Sequence, residues 1–401
     1  MQAGQDHHRA AIAAIVVVNF VTVSGFGLMF PVFTSFGDQI GASATQLAWA
    51  IAAFSLGQLF AAPVTGRLSD RFGRKPILVC GLLLGSVAYF LHSYVDSPQL
   101  LILARFTSGL VSGGFAVAFA VAADISTRNN RARVMGIVGA GFSAGIIFGP
   151  AIGGLVGSVV SEESAFAAVC QASAVMNLCA ALCTAWLLPE TRPPQSEGSA
   201  ETDAAQRQTL FRDPGFLVPV AIGFAAMASV AMMEGTFVVY AQRILAFSPG
   251  EIGLTFAMMG VASVLVQATC AGWLAARLGE YKVLLLAMLV QAGGLLCLAV
   301  SSHTALVVAG TVAISVGYAL LTPAVSALAS FAADDKLQGT AQGVVQGASA
   351  LGRVLGPASA GPVYDAFGPT MPFLYGGCQL LIIVALAALW RPRTLVQSVE
   401  T

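Results

Sequence analysis

Charge is what this chain has least of. Only 9% of its 401 residues are Asp, Glu, Lys or Arg, against about 25% in a typical soluble domain. Too few charged side chains remain to cover a water-facing surface, and a hydrophobic fraction of 57% excludes an ordinary soluble globule. Basic and acidic side chains number 19 each, so the net charge is zero and no nucleic-acid partner is implied. The seven cysteines (Cys80, Cys170, Cys179, Cys183, Cys270, Cys297 and Cys378) are scattered through apolar runs. Their number is odd and no metal-ligand spacing links them, so they read as small membrane-buried side chains, not a disulfide or zinc framework. No cofactor or metal is expected. A membrane-embedded enzyme would need His, Ser or Asp clustered at one membrane face, and a passive channel would need repeated polar rings; neither pattern is found. No small-residue cleavage site follows the first apolar run, which reads as a retained span.

Long hydrophobic runs fill the space that charge leaves. A helix needs about 20 apolar residues to cross a bilayer. Twelve stretches qualify: 10–33, 46–66, 76–94, 98–121, 133–158, 165–188, 216–241, 251–275, 281–301, 304–329, 338–361 and 370–390. They are continuously apolar, not alternating, which predicts helices and excludes a barrel. With the N-terminus inside, Arg243 is the single cation of nineteen in an outer segment, while Arg105 and Arg353 fall within spans. All the others lie in inner segments, which predicts both termini in the cytoplasm of a multi-pass inner-membrane protein. The longest hydrophilic stretch, 189–215, is rich in Pro, Ser, Glu and Thr and reads as a flexible linker. It divides the chain into an N-terminal six-helix bundle, 1–188, and a C-terminal one, 216–401.

The two halves echo each other. Gly66-x4-Arg71-x-Gly73 recurs as Gly272-x4-Arg277-x-Gly279, an offset of 206. Gly136-x8-Gly145-x3-Gly149-Pro150-x2-Gly153-Gly154 recurs as Gly343-x8-Gly352-x3-Gly356-Pro357-x2-Ala360-Gly361, an offset of 207. The second copy has decayed at the charged stretch, with Ala276 where Asp70 would be and Glu280 where Arg74 would be. Parallel six-span repeats are how many secondary transporters build two rocking halves around a midplane site.

Gly66–Pro76 reads as a short loop between two spans, with Arg67, Arg71, Arg74 and Lys75 around the single anion Asp70. Those cations suit a negative inner leaflet, so membrane lipid is an expected partner. The stretch matches G-x-x-x-D-R-x-G-R-K and resembles the loop between spans 2 and 3 of the major facilitator superfamily. The glycine series of span 5 resembles the signature of drug:proton antiporters within that superfamily, and Arg105-x3-Gly109-x3-Gly113-Gly114 resembles its span 4 motif. The resemblance covers the whole chain. It implies an all-α membrane protein of twelve transmembrane helices in two pseudo-symmetric bundles, acting as a monomeric secondary transporter that exports a small molecule against protons. It also implies that Asp70, with Arg71 and Arg74 beside it, latches onto the start of span 11 with help from Asp124. Gly145, Gly149, Pro150, Gly153 and Gly154 would form a hinge sealing the interface between the halves. Read from the residues alone, the same cations determine topology, and the glycines permit close helix packing.

Glu234 is the one carboxylate well inside a span, about 16 residues, or ~24 Å, from the cytoplasmic side. Arg353 lies about 14 residues, or ~21 Å, into span 11, and Arg105 enters from outside to a similar depth in a core of ~30 Å. Arg105 either faces the bundle interior or snorkels outward. Burial opposes ionisation of a carboxylate and a nearby Arg favours it. Glu234 is therefore the candidate proton site, with Arg353 and Arg105 as charge partners or anion-binding groups; a static structural pair is the alternative. Asn19, Phe26, Phe30, Gln58 and Gln346 are candidates to line a substrate cavity, although Phe26, Phe30 and Phe33 also suit packing. His92 and His303 sit at outer span ends and receive no role. Span 1 lacks the acid that many drug:proton antiporters carry, Asp38 reading as part of an outer loop. Gln291 stands where tetracycline exporters carry an acid in span 9. The excess of Arg over Glu leans toward anionic or chelating substrates, so a siderophore or metabolite exporter is the second reading.

Overall fold

The computed structural model describes residues 2–112, 114–126, 131–191, 210–301, 303–333 and 337–389. The expectations on Gly113, Arg128, Lys336, Arg391, Arg393 and most of the linker, including Arg192 and Arg207, lie outside the described residues.

Among the described residues the chain forms fifteen helices and no strand. They are α1 (Gln2–Gly27), α2 (Phe30–Gln39), α3 (Ala44–Phe72), α4 (Arg74–His92), α5 (Pro98–Val111), α6 (Gly114–Asp124), α7 (Arg131–Val159) and α8 (Glu162–Leu187). Then follow α9 (Pro214–Arg243), α10 (Pro249–Thr269), α11 (Ala271–Leu278), α12 (Glu280–Val300), α13 (Thr304–Phe331), α14 (Gln338–Phe367) and α15 (Met371–Leu389). Among the described residues ten stretches are long and apolar enough to cross a membrane, α1 and α2 together supplying one of them, Ala10–Gln39. The other two expected spans are α5 with α6, which part at Ser112, and α14, made less apolar by Gln338, Gln342, Gln346 and Arg353.

Two expected loops are helical. The Gly66–Pro76 stretch is no loop: α3 runs on to Phe72 and α4 starts at Arg74, so Gly73 alone turns the chain. Its φ of 105° is a conformation that glycine adopts without a Cβ clash, and its amide closes α3 onto the Ser69 carbonyl. Arg, Leu and Asp are compatible with helix, so charge alone does not end one. Gly279 does the same between α11 and α12, at φ 78°, so the repeat keeps its turn where it lost its carboxylate. Asp38 likewise lies inside α2, not in a loop, because Pro31 sits in that helix's first turn, where its missing N–H costs nothing. Ser43 then starts α3 with a capping box, accepting from the Gln46 amide at 3.2 Å while its own amide donates to the Gln46 side chain at 3.0 Å.

The chain forms two compact units, Met1–Glu197 with Val238–Gly260, and Gly198–Phe237 with Val261–Thr401. Both α9 and α10 therefore contribute to each unit. In the first, α3 packs along α5, α1 along α7 and α4 along α8, around a core that includes Ile15, Val18, Leu78, Leu82, Val117, Val121 and Val138. In the second, α12 lies between α13 and α15.

The span 5 glycines explain one of these pairings. Gly141, Gly145 and Gly149 place their Cα atoms against α1 and Gly153 against Leu28 just beyond its end; a Cβ on them would meet the Val16, Phe20, Ser24 and Leu28 carbonyls. The stripe thus packs on a helix of its own bundle. Gly154, one residue round the helix, instead faces the Pro249 carbonyl, and Gly253 faces the Pro150 carbonyl. The second copy repeats the first contact: a Cβ at Gly352 or Gly356 would meet the Phe224 or Ala228 carbonyl of α9.

Candidate functional site

In the first unit, Arg105 organises the site. Its position on α5 turns the side chain inward, and it is only 1% exposed. Of the two readings the sequence leaves open, interior placement and not snorkelling is what the fold produces. The guanidinium carbon lies 5.1 Å from the Phe26 ring centroid, 5.8 Å from Phe33 and 4.8 Å from Phe54, and Nη1 is 3.3 Å from Met29 Sδ. Phe26 also packs on Phe54 at 4.8 Å and edge-on to Phe30 at 5.0 Å. The aromatic series of span 1 is therefore partly a cage for a cation, held by the electron-rich ring faces. Among the described residues no carboxylate lies within 4.0 Å of Arg105, and its Nε has no hydrogen-bond partner.

His92 joins this region although its place at a span end suggested no role. It is 1% exposed, its Nδ1–H donates to the Ala88 carbonyl at 2.8 Å, and Nε2 is enclosed without a partner among the described residues. Being last in α4 did not expose it, because α5 packs beside α4 and brings Ser108 to 3.4 Å from its Nδ1. Asn19 is fully buried and donates to the Val138 carbonyl at 3.3 Å, joining α1 to α7. Gln58 is partly buried on α3, where its backbone N faces Gly109.

In the second unit, Glu234 on α9 and Arg353 on α14 are both partly buried. Burial and, after it, the charge of Arg353 act on Glu234, yet among the described residues no ion pair within 4.0 Å joins the two. Tyr318 on α13 sits in the field of both, and sequence reasoning missed it because a single Tyr in an apolar span carries no pattern. Arg353 Nη2 is 4.0 Å from Met227 Sδ. Nearby on α12, Gln291 is fully buried and donates to the Ala226 carbonyl at 2.8 Å. Gln346 is exposed on α14. A carboxylate without a direct ion pair can exchange a proton without first breaking a bond to a cation.

At the Gly73 turn the hub is Arg74, not Asp70. Its guanidinium bonds Asp70 Oδ1 at 2.6 Å, Ser69 Oγ at 2.7 Å and Asp124 Oδ2 at 3.0 Å. Asp124 thus meets Asp70 only through Arg74, and the Asp70 side chain stays 65% exposed. Arg71 lies over the Phe72 ring at 5.3 Å. Glu190, just beyond α8, escaped sequence reasoning. Its carboxylate accepts from the backbone N–H groups of Arg74 at 2.8 Å and Lys75 at 3.3 Å, capping the N-terminus of α4. A Cβ at Gly73 would meet the end of the Glu190 side chain and displace its carboxylate, while the positive φ is what requires glycine at the turn.

At the opposite end of the first unit, Arg243 Nη2 pairs with Asp38 Oδ1 at 2.5 Å, and Gln242 Nε2 donates to the Pro31 carbonyl at 2.8 Å. Phe30 and Phe256 stack at 5.1 Å with their planes 4° apart. The one cation expected in an outer segment therefore has a local partner.

Known proteins resemble this chain in sequence and in fold. The chain is 28% identical to Multidrug resistance protein 2 of Bacillus subtilis (strain 168), over 93% of each chain. It is 29% identical to the class C tetracycline resistance protein of Escherichia coli, over 94% of this chain and 96% of that one. The nucleoside transporter NupG has the same fold, with a TM-score of 0.78 at 12% identity, over 94% of this chain and 98% of that one. The sequence profile of the Major Facilitator Superfamily matches residues 15–243 and 220–400. Matched along nearly its whole length, this multi-pass membrane chain belongs to the Major Facilitator Superfamily, a family of transporters and not of enzymes.

Proposed function

We propose that the protein exports a small organic molecule across the inner membrane by proton antiport, alternating access between its two bundles. In this reading it works as a monomer with both termini in the cytoplasm. Its resemblance to multidrug and tetracycline resistance proteins supports export as the direction. The observation that carries the coupling is Glu234. It is a carboxylate within an apolar helix, partly buried and in the field of Arg353, with no ion-pair partner within 4.0 Å among the described residues. Glu234 takes up the proton, and Arg353 biases its release when the helices rearrange. Gly154 and Gly253, in close contact, act as the hinge, and the exposed Asp70 carboxylate is the latch, positioned by Arg74 and Asp124. Phe26, Phe30, Gln58 and Gln346 line the substrate path, and Asn19 braces it.

The test is substrate-driven proton movement in proteoliposomes. Glu234→Gln should abolish pH-gradient-driven uptake while leaving substrate counterflow intact. Gradient-driven uptake at the wild-type rate would refute the assignment. Arg105 supports a second reading: a buried cation with no carboxylate within 4.0 Å among the described residues suits an anionic substrate, such as a siderophore or another acidic metabolite. Export assays with anionic and cationic compounds separate the two.

A further inference from the structure

A cavity of about 440 Å³ lies in the first unit between the end of α2, the turn joining α7 to α8, and the residues joining α9 to α10. That volume is within the range of small-molecule sites, roughly 300–1,000 Å³. Its polar lining is rich in acceptors. Asp38 and Glu162 supply carboxylates. Gln242 has its Nε2 occupied by the Pro31 carbonyl, and its Oε1 is enclosed with no partner among the described residues. The cation in the lining, Arg243, is held on Asp38 at 2.5 Å and on the Ala42 carbonyl at 3.3 Å. Glu162 has no ion-pair partner among the described residues. Two carboxylates against one guanidinium leave the cavity net negative, and Phe247 and Val160 give it an apolar wall.

We propose that this cavity binds a small organic ammonium ion with an apolar body. The ammonium supplies the hydrogen-bond donors that the Asp38 carboxylate accepts, its charge is balanced by Glu162, and its body packs on Phe247 and Val160. Arg243 occupies the same carboxylate and acts as a tethered competitor that the ligand displaces. A neutral molecule of the same shape gains the apolar wall and forgoes the charge. The inference does not depend on proton coupling.

The experiment is calorimetric titration of the purified full-length protein in lipid nanodiscs with 2-phenylethylammonium chloride, with 2-phenylethanol as the uncharged control. The ammonium should bind saturably at one site and the alcohol at least tenfold more weakly. Asp38→Asn should weaken ammonium binding at least tenfold, Arg243→Gln should tighten it several-fold, and Glu234→Gln should leave it unchanged. Glu162→Gln, which leaves the Asp38–Arg243 pair intact, should weaken it several-fold and decides the matter if Asp38→Asn does not fold. Equal binding of the alcohol overturns the proposal. So does an unchanged affinity in Glu162→Gln, or binding lost in Glu234→Gln, which would put the ammonium at the Glu234 region instead. Loss of gradient-driven transport in Glu234→Gln with ammonium binding retained would support proton coupling and this site separately.

Discussion

Alanine substitution along the glycine stripe of α7 should give a graded loss of stability. A Cβ would lie 3.0 Å from the Ser24 carbonyl oxygen at Gly149, 2.8 Å from that of Phe20 at Gly145, and 2.7 Å from that of Val16 at Gly141. At Gly153 it would overlap the Leu28 carbonyl outright, whereas at Gly139 it meets nothing within 4 Å. An unstrained carbon–oxygen contact needs roughly 3.3–3.6 Å. Gly149→Ala therefore asks the helices to part by a few tenths of an ångström, and Gly153→Ala by far more. Overpacking of this kind costs about 1–3 kcal/mol, set against about 1 kcal/mol gained from the better helix propensity of Ala. Gly139→Ala should be neutral or stabilising and Gly149→Ala close to neutral. Gly153→Ala should lose about 2 kcal/mol, which lowers Tm by roughly 4–8 °C for a unit of this size. Thermal unfolding of the purified variants, followed by tryptophan fluorescence, reads the series. If Gly153→Ala unfolds no lower than Gly139→Ala, close α1–α7 packing is not what those glycines provide.

Two further outcomes are expected. Arg105→Leu should keep the folded yield and a Tm close to wild type, because burying an ion costs several kcal/mol and three ring contacts of about 0.5–2 kcal/mol each do little more than offset it. Transport by Arg105→Leu should fall at least tenfold, and a fully active variant would show that the cage is only a packing device. Glu190→Ala should cost about 1 kcal/mol by uncapping α4 and Glu190→Gln less, measured by thermal unfolding; equal losses would mean that the carboxylate acts elsewhere.

Composition and periodicity alone determined the membrane class, the helical spans and the internal repeat, because a bilayer demands long apolar runs whatever the tertiary packing. The glycine spacing of span 5 was equally legible, since small residues every fourth position must share one helix face. Tertiary structure decided where those features point. The stripe meets α1 within its own unit, and the neighbouring Gly154 meets Pro249. The charged stretch proved helical up to Gly73, with Arg74 and not Asp70 at its centre, because hydrogen-bond partners from α6 and from Glu190 reach it only in the folded chain. His92 shows the same limit: its place at a span end suggested no role, and the neighbouring α5 packs it into the buried region around Arg105. Tyr318 and Glu190 carried no signal at all. Sequence encodes which residues avoid water through spacing along one helix; which side chains meet depends on how different helices are juxtaposed, and one chain's spacing does not record that.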